Sequence, residues 1–319
     1  MRRFIAIAVG RFHILSMPIL DNPNWFAASP LTRPNQEKDL SQDYREALAN
    51  PDSILIPLWR GDPLVVDGRA GFLSVAARDA FPKDAPTAFL GYSNGRAHFA
   101  VDASGISDTP ESAPFAEIGE YVSLRAAAGN LDRYDLAIIG HARWLFEWRR
   151  KNRFCANCGS PVRFDKSGAK SVCNTCETAH FPRTEPVAIV LVLHGDACLL
   201  GRGANFPPGF MSALAGFVEA AETPEEAAKR EIFEEAGVRL SDIQYQFSQP
   251  WPFPASLMMG FFATAEERAL VLDTTEIVEA RWFEHGQISA MLDGETTDIF
   301  LPPPFTIAHQ LLRRWIERR

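Results

Sequence analysis

Four of the five cysteines in this 319-residue chain fall in two close pairs, Cys155-x2-Cys158 and Cys173-x2-Cys176, separated by fourteen residues. Paired thiols at this spacing suit a tetrahedral Zn²⁺ better than a disulfide framework, which would spread its cysteines along the chain. Four thiolates leave a zinc ion no open coordination position, so the ion is expected to be structural rather than catalytic. A redox-active dithiol pair is the competing reading. Both point to a reducing compartment, and the cytoplasm is the expected location. Cys198, inside an apolar run, reads as a small core residue.

The cysteine block divides the chain. With 319 residues, more than one core is expected, and 46% apolar residues can fill them. Residues 1–150 read as a β-rich N-terminal domain ending in a helix over 131–150. Strand signals begin at 4–9, where the basic start is too soon interrupted by Arg11 and His13 for a secretory leader. Asp67-Gly68 and Asn94-Gly95 sit between apolar runs and predict tight hairpins. Residues 151–184 form the cysteine module, and 185–319 a third region mixing strands with helices, so the class is α+β. No internal repeat is visible in the sequence. No apolar run approaches the ~18–20 residues that cross a bilayer, so no membrane association is expected. A formal net charge of −8 argues against a general nucleic-acid coat. The basic run at 149–153 reads first as a helix C-terminus and second as a local RNA contact.

Residues 224–236 predict a helix from local rules. Thr223 is a suitable N-cap, Pro224 fits the first turn, and Gly237 can close the end. At 100° per residue, Glu231, Glu234 and Glu235 share one face, with Ala228, Ile232 and Ala236 beside them for packing on a sheet. Converging carboxylates repel unless a cation lies among them. Arg230 reaches Glu234 at i,i+4 but cannot offset all three. Hard, oxygen-preferring Mg²⁺ or Mn²⁺ is the natural partner, and a solvated acidic face is the alternative.

The order of these residues decides between the two. Gly216, five residues, Glu222, seven residues, then Arg230-Glu231-Ile232-Phe233-Glu234-Glu235-Ala236-Gly237-Val238 resembles the Nudix box at every defining position. Downstream, Ser248-Gln249-Pro250-Trp251-Pro252-Phe253-Pro254-Ala255-Ser256 reads as a stiff extended loop holding two aromatic rings. Taken alone it suits either a pocket for flat rings or a packed aromatic loop. In this context it resembles the signature of the NADH pyrophosphatase branch of the Nudix hydrolases. That branch also carries a zinc ribbon before the box and a segment like 301–308 near the end. The resemblance covers about residues 140–319, and the N-terminal region matches only in position and size.

The resemblance implies a C-terminal Nudix α/β/α sandwich with a mixed sheet, following the β-rich domain and the ribbon. It implies hydrolysis of the pyrophosphate of NADH and NAD⁺ to nicotinamide mononucleotide and AMP, and removal of NAD caps from RNA 5′ ends. It also implies a homodimer. Glu231, Glu235 and Glu276, with the main-chain carbonyl of Ala215, would hold Mg²⁺ or Mn²⁺. Glu234 or Glu235 would orient or deprotonate the attacking water, with Arg230 holding the carboxylates in place. Gln249, Pro250, Trp251, Pro252, Phe253, Pro254, Ala255 and Ser256 would line the dinucleotide pocket, approached by Ala308. Phe181 stands where the family usually has Tyr, which removes any contact through the hydroxyl. Two other functions stay open at this stage. One is a Nudix hydrolase of ADP-ribose or dinucleoside polyphosphates; the other is a zinc-ribbon nucleic-acid-binding protein with an inactive Nudix domain.

Overall fold

The structure, a computed structural model, describes residues 22–34, 41–295 and 298–318. The strand expected at 4–9 and the reading of the chain start lie outside the described residues. Residues 26–183 form one compact unit, and 184–318 with 22–25 form another.

The first unit opens with helix α1 (Ser41–Ala49). Seven strands then build one sheet: β1 (Ile54–Trp59), β2 (Asp62–Val66), β3 (Arg69–Ala70), β4 (Leu73–Ser74), β5 (Thr87–Ser93), β6 (Arg96–Asp102) and β7 (Glu120–Tyr121). Both expected hairpins are present. Val66 pairs with Arg69 across Asp67-Gly68, and Ser93 pairs with Arg96 across Asn94-Gly95. Asp67, Gly68, Asn94 and Gly95 all have positive φ, the conformation a type I′ turn demands. Helices α2 (Leu124–Ala127) and α3 (Arg133–Lys151) follow. The basic end of α3 is engaged within this unit. Arg149 donates to the Thr87 carbonyl and covers the Phe164 ring, while Arg150 and Lys151 pair with Glu147. The cysteine module adds three short strands, β8 (Val162–Phe164), β9 (Ser171–Cys173) and β10 (Ala179–His180).

The second unit contains β11 (Glu185–His194), β12 (Ala197–Gly203), β13 (Leu214–Phe217), helix α4 (Pro224–Ala236), β14 (Leu240–Trp251), β15 (Ser256–Ala265), β16 (Ile277–Glu284), α5 (His285–Leu292) and α6 (Ile307–Glu317). The strand order is β14-β15-β11-β12-β16, with β13 pairing to β11. Only β11 and β15 run parallel, so the sheet is mixed. Strand β11 is buried on both faces, as its unbroken apolar run requires. Ala188, Val190 and Val192 meet α4 through Ala228, Ile232 and Ala236. Ile189 and Leu191 meet α5 and α6 through Ile288, Leu311 and Trp315. Helices on opposite faces of the sheet give the three-layer sandwich.

The two units share one wiring diagram. Strand β1 pairs with β2, β4 and β6 as β11 pairs with β12, β13 and β15. Likewise β2–β7 matches β12–β16, and β5–β6 matches β14–β15, each pair antiparallel. In both units the central parallel pair occupies the same place in the chain order. The expectation of no internal repeat is therefore corrected at the level of topology. Sequence comparison misses it because a shared backbone needs only matching apolar periodicity, which many sequences satisfy.

The proline-aromatic segment also differs from its expected form. It is not one long loop: β14 runs through Ser248, Gln249, Pro250 and Trp251, each paired to β15. Pro250 ends up opposite Leu257 near the hairpin tip, and only residues 252–255 form the turn. The Phe253–Pro254 peptide is cis.

Candidate active site

Helix α4 is specified at both ends as its sequence predicts. The Thr223 hydroxyl accepts from the Glu226 N–H, and the Glu226 carboxylate accepts from the Thr223 N–H, closing a capping box. Gly237 ends the helix at φ 71°, a left-handed conformation that favours glycine. Between these ends, Ala227, Ala228, Ile232 and Ala236 are fully buried. That face anchors the helix on the sheet and directs the carboxylates towards its edge.

Arg230 organises the acidic cluster. Its guanidinium is bidentate to Glu222 at 2.8 Å for both bonds, and it also reaches Glu231 at 2.9 Å and Glu234 at 3.1 Å. A fifth bond goes to the main-chain carbonyl of Phe217 at 2.9 Å. The Arg230 hydrogen bonds hold the Glu222 carboxyl down at about 2. Sequence reasoning placed Glu222 only as a fixed position of the box, and the structure shows that it anchors the arginine.

Glu231, Glu235 and Glu276 converge, each offering an oxygen within 4.8 Å of the others. Glu235 is 7% exposed, and its Oε2 is buried without a hydrogen-bond partner among the described residues. Burial, reinforced by Glu231, Glu276 and Glu234, pushes its carboxyl up to about 8. An orphaned carboxylate oxygen facing two further carboxylates fits a hard divalent cation. Glu234 lies apart from this trio, with its side chain 57% exposed. Gly216 belongs to the same arrangement. A Cβ there would stand 1.8 Å from the Glu231 carboxylate carbon, so only glycine lets β13 pass this close. Ala215 precedes it on β13, opposite Ile189 of β11.

Trp251 and Phe253 pack edge to face at 4.9 Å, and Trp251 lies parallel to Phe305 at 6.3 Å. Gln249 is fully buried: its amide donates to the Phe305 and Trp25 carbonyls and its oxygen accepts from the Ile307 N–H at 2.7 Å. Its polar atoms thus tie the start of α6 to β14. Ala308, in the first turn of α6, is 4% exposed and packs in the core on the sheet side. Ser256 is buried opposite Glu185 of β11. Phe181 is 53% exposed on the first unit. Phe217, unremarked in the sequence, is 57% exposed at the end of β13, and its main-chain carbonyl accepts from Arg230. It was hidden because an apolar residue in a strand reads as core.

In the cysteine module, Cys155 and Cys176 sulfurs lie 3.7 Å apart, and those of Cys158 and Cys173 lie 3.5 Å apart. Tetrahedral zinc–sulfur bonds of about 2.3 Å would separate sulfurs by about 3.8 Å, so the four thiols fit a structural Zn²⁺. The Thr175 and Cys176 N–H groups point at Cys173 Sγ at 3.3 and 3.4 Å, and His180 Nε2 lies 3.2 Å from Cys155 Sγ. Such outer contacts orient thiolate ligands.

A carboxylate-bearing helix on a mixed sheet, preceded by a four-cysteine knuckle, defines a divalent-metal-dependent hydrolase class, and known proteins agree. The NUDIX domain family matches residues 183–300, the NADH pyrophosphatase zinc ribbon domain matches 150–181, and the NADH pyrophosphatase-like rudimentary NUDIX domain matches 52–148. The last match falls on the sheet whose wiring repeats that of the second unit. The chain is 34% identical over 276 residues to the NAD-capped RNA hydrolase NudC of Stutzerimonas stutzeri, covering 84% of this chain and 94% of that one. It is 37% identical over 230 residues to the NudC of Chromobacterium violaceum, covering 72% and 80%. The human NAD-capped RNA hydrolase NUDT12 is 39% identical over 197 residues, or 58% of this chain, and the match spans only 43% of that relative's length. The chain belongs to the Nudix hydrolase family, in the branch that carries the zinc ribbon. Among the described residues, no helix is long and apolar enough to cross a membrane.

Proposed function

We propose that this protein hydrolyses the pyrophosphate bond of NADH, and of NAD⁺ less efficiently, to nicotinamide mononucleotide and AMP. The same bond in the NAD cap at an RNA 5′ end is its second substrate. The observation that carries this reading is the convergence of Glu231, Glu235 and Glu276 around an orphaned buried oxygen. Those three carboxylates, with the Ala215 carbonyl, would hold Mg²⁺ or Mn²⁺. When bound, the metal neutralises the diphosphate and lowers the pKa of a bound water.

The chain's own groups supply the rest. Arg230, fixed by Glu222, holds Glu231 and Glu234 in position. Glu235 is committed to the converging trio, which leaves the exposed Glu234 to take a proton from the attacking water. The water oxygen bonds to one phosphorus, the bridging oxygen leaves with the other, and the product monophosphates separate. Phe217 offers an exposed ring on the residue after Gly216 for a flat base, and Trp251 and Phe253 pack edge to face at the tip of the β14–β15 hairpin. Relatives that remove NAD caps from RNA support the second substrate. Family resemblance supports a homodimer, and cysteines used as paired metal-type thiols suit a reducing compartment such as the cytoplasm. An inactive domain is disfavoured, because repelling carboxylates are retained intact.

A chromatographic product assay with Mg²⁺ or Mn²⁺ tests the reading, using NADH, NAD⁺, ADP-ribose and NAD-capped RNA, with Glu235→Gln alongside. AMP and reduced nicotinamide mononucleotide should form from NADH and vanish in the variant. Turnover of ADP-ribose without cleavage of NADH would overturn the substrate assignment and keep the chemistry.

A further inference from the structure

Glu276 differs from its two companions in having no helix to hold it. It is exposed, and it stands immediately before β16 on the connection from β15. Its position is nevertheless defined, through Asp273. One carboxylate oxygen of Asp273 accepts from the Thr275 N–H at 2.9 Å and from the Thr275 hydroxyl at 2.6 Å, an Asx turn that folds the chain back on itself. These bonds hold the Asp273 carboxyl below its ordinary range. The Asp273 carbonyl accepts from the Glu276 and Ile277 N–H groups at 3.1 and 2.9 Å. Its own N–H donates to the Glu235 carbonyl at 3.1 Å, and Val271 N–H donates to the Ala236 carbonyl at 2.9 Å. The last carbonyls of α4, which a helix leaves unsatisfied, are thus taken up by the segment that delivers Glu276. Two of the three converging carboxylates are joined by main-chain bonds that meet at one residue.

We propose that Asp273 is a positioning residue for the metal site, presetting Glu276 against Glu235 by locking the turn between them. This rests on the reading of Glu231, Glu235 and Glu276 as metal ligands. Without the side-chain lock, residues 273–276 lose order that the ion must then restore on binding, so affinity falls while the ligands themselves stay intact. Asp273 itself is exposed and touches no core cluster, so its loss leaves the sheet and α4 standing.

Mn²⁺ binding to the full chain, followed by electron paramagnetic resonance of the free ion without substrate, tests the proposal. Asp273→Ala should weaken Mn²⁺ binding about 10-fold or more, the range seen when groups supporting a ligand are removed. Asp273→Asn keeps the accepting oxygen and should restore binding to within about threefold of wild type. In a Glu276→Gln background, Asp273→Ala should add nothing, because its effect passes through Glu276. Equal affinity in wild type and Asp273→Ala would overturn the proposal. So would an Asp273→Asn variant as weak as Asp273→Ala, since charge rather than the turn would then matter. A wild-type protein that binds no Mn²⁺ would overturn the metal-site reading together with this one.

Discussion

Strands β1, β2, β4, β5, β6 and β7 pair as β11, β12, β13, β14, β15 and β16 do, yet one element between them differs. Where the second unit has the thirteen-residue helix α4, the first has a six-residue 3₁₀ turn, Val75–Ala80. At three residues per turn, i+3 eclipses i but i+4 falls about 120° away, so this turn cannot set i, i+3 and i+4 on one face as α4 does. The arginines show the same divergence. Arg78 donates to the carbonyls of Phe81, Pro82, Lys83 and Ala85, closing a loop. Arg230 spends four of its five bonds on carboxylates. The sheet is thus a shared scaffold, and the element that follows β4 in one unit and β13 in the other decides whether three carboxylates can share one helix face.

The sharpest way to break this comparison is to remove one acid from each unit. Glu231→Gln should lower NADH hydrolysis roughly 10³-fold, within the range for loss of a group that acts on the reacting water or its metal. Asp79→Asn, on the exposed side of the 3₁₀ turn, should leave kcat within about twofold. Steady-state product formation measures both. A comparable loss at Asp79 would mean that the first unit takes part in the reaction.

Glycines sharpen it further. Gly216→Ala places a methyl group where the Glu231 carboxylate lies, at 1.8–2.2 Å. The carboxylate must move, and activity should fall about 10- to 100-fold, as when a metal ligand loses its support, with little change in Tm. Gly71→Ala meets the Leu64 side chain at 2.9 Å and its carbonyl at 3.0 Å instead. That is overpacking, expected to cost about 1–3 kcal/mol of stability with kcat unchanged. Thermal melts beside kinetics separate the two outcomes, and a swap of the two effects would refute the division of labour.

The box helix was legible in the sequence to the residue, because capping, proline placement and a left-handed glycine are local rules. Its carboxylate face was legible for the same reason. The Arg230–Glu222 pair was not, since it spans eight positions through a loop whose path depends on the fold. Gln249 was read as a pocket residue, and only the placement of α6 reveals that its amide is spent on Trp25, Phe305 and Ile307. Phe217 and Asp273 escaped notice because exposure and turn geometry are tertiary facts. The repeated topology escaped because it is written in pairing rather than in residues.

The smallest effect concerns what the acidic cluster costs when no ion balances it. The Glu235 carboxyl is pushed up to about 8 from an ordinary value of 4.5, chiefly by burial and then by Glu231, Glu276 and Glu234. Between those two values the folded protein holds a proton that the unfolded chain has lost. The folded state therefore binds more protons, and stability falls as pH rises through this window. Below it both states are protonated and above it both are ionised, so the penalty is absent at the acid end and constant at the alkaline end. Glu235→Gln carries no such charge. Its Tm, measured without added Mg²⁺ or Mn²⁺ and with zinc retained, should match wild type near pH 4.5. By pH 8 it should exceed wild type by roughly 2–4 °C for each kcal/mol of relieved repulsion. Other groups that titrate in this range, such as buried His98 near 4 and half-buried Asp135 near 6, are common to both proteins and cancel in the difference. Parallel Tm curves for the two proteins across this range would show that the cluster carries no strain. Added Mn²⁺ should close the gap by raising the wild-type curve, because only the intact trio can bind it well.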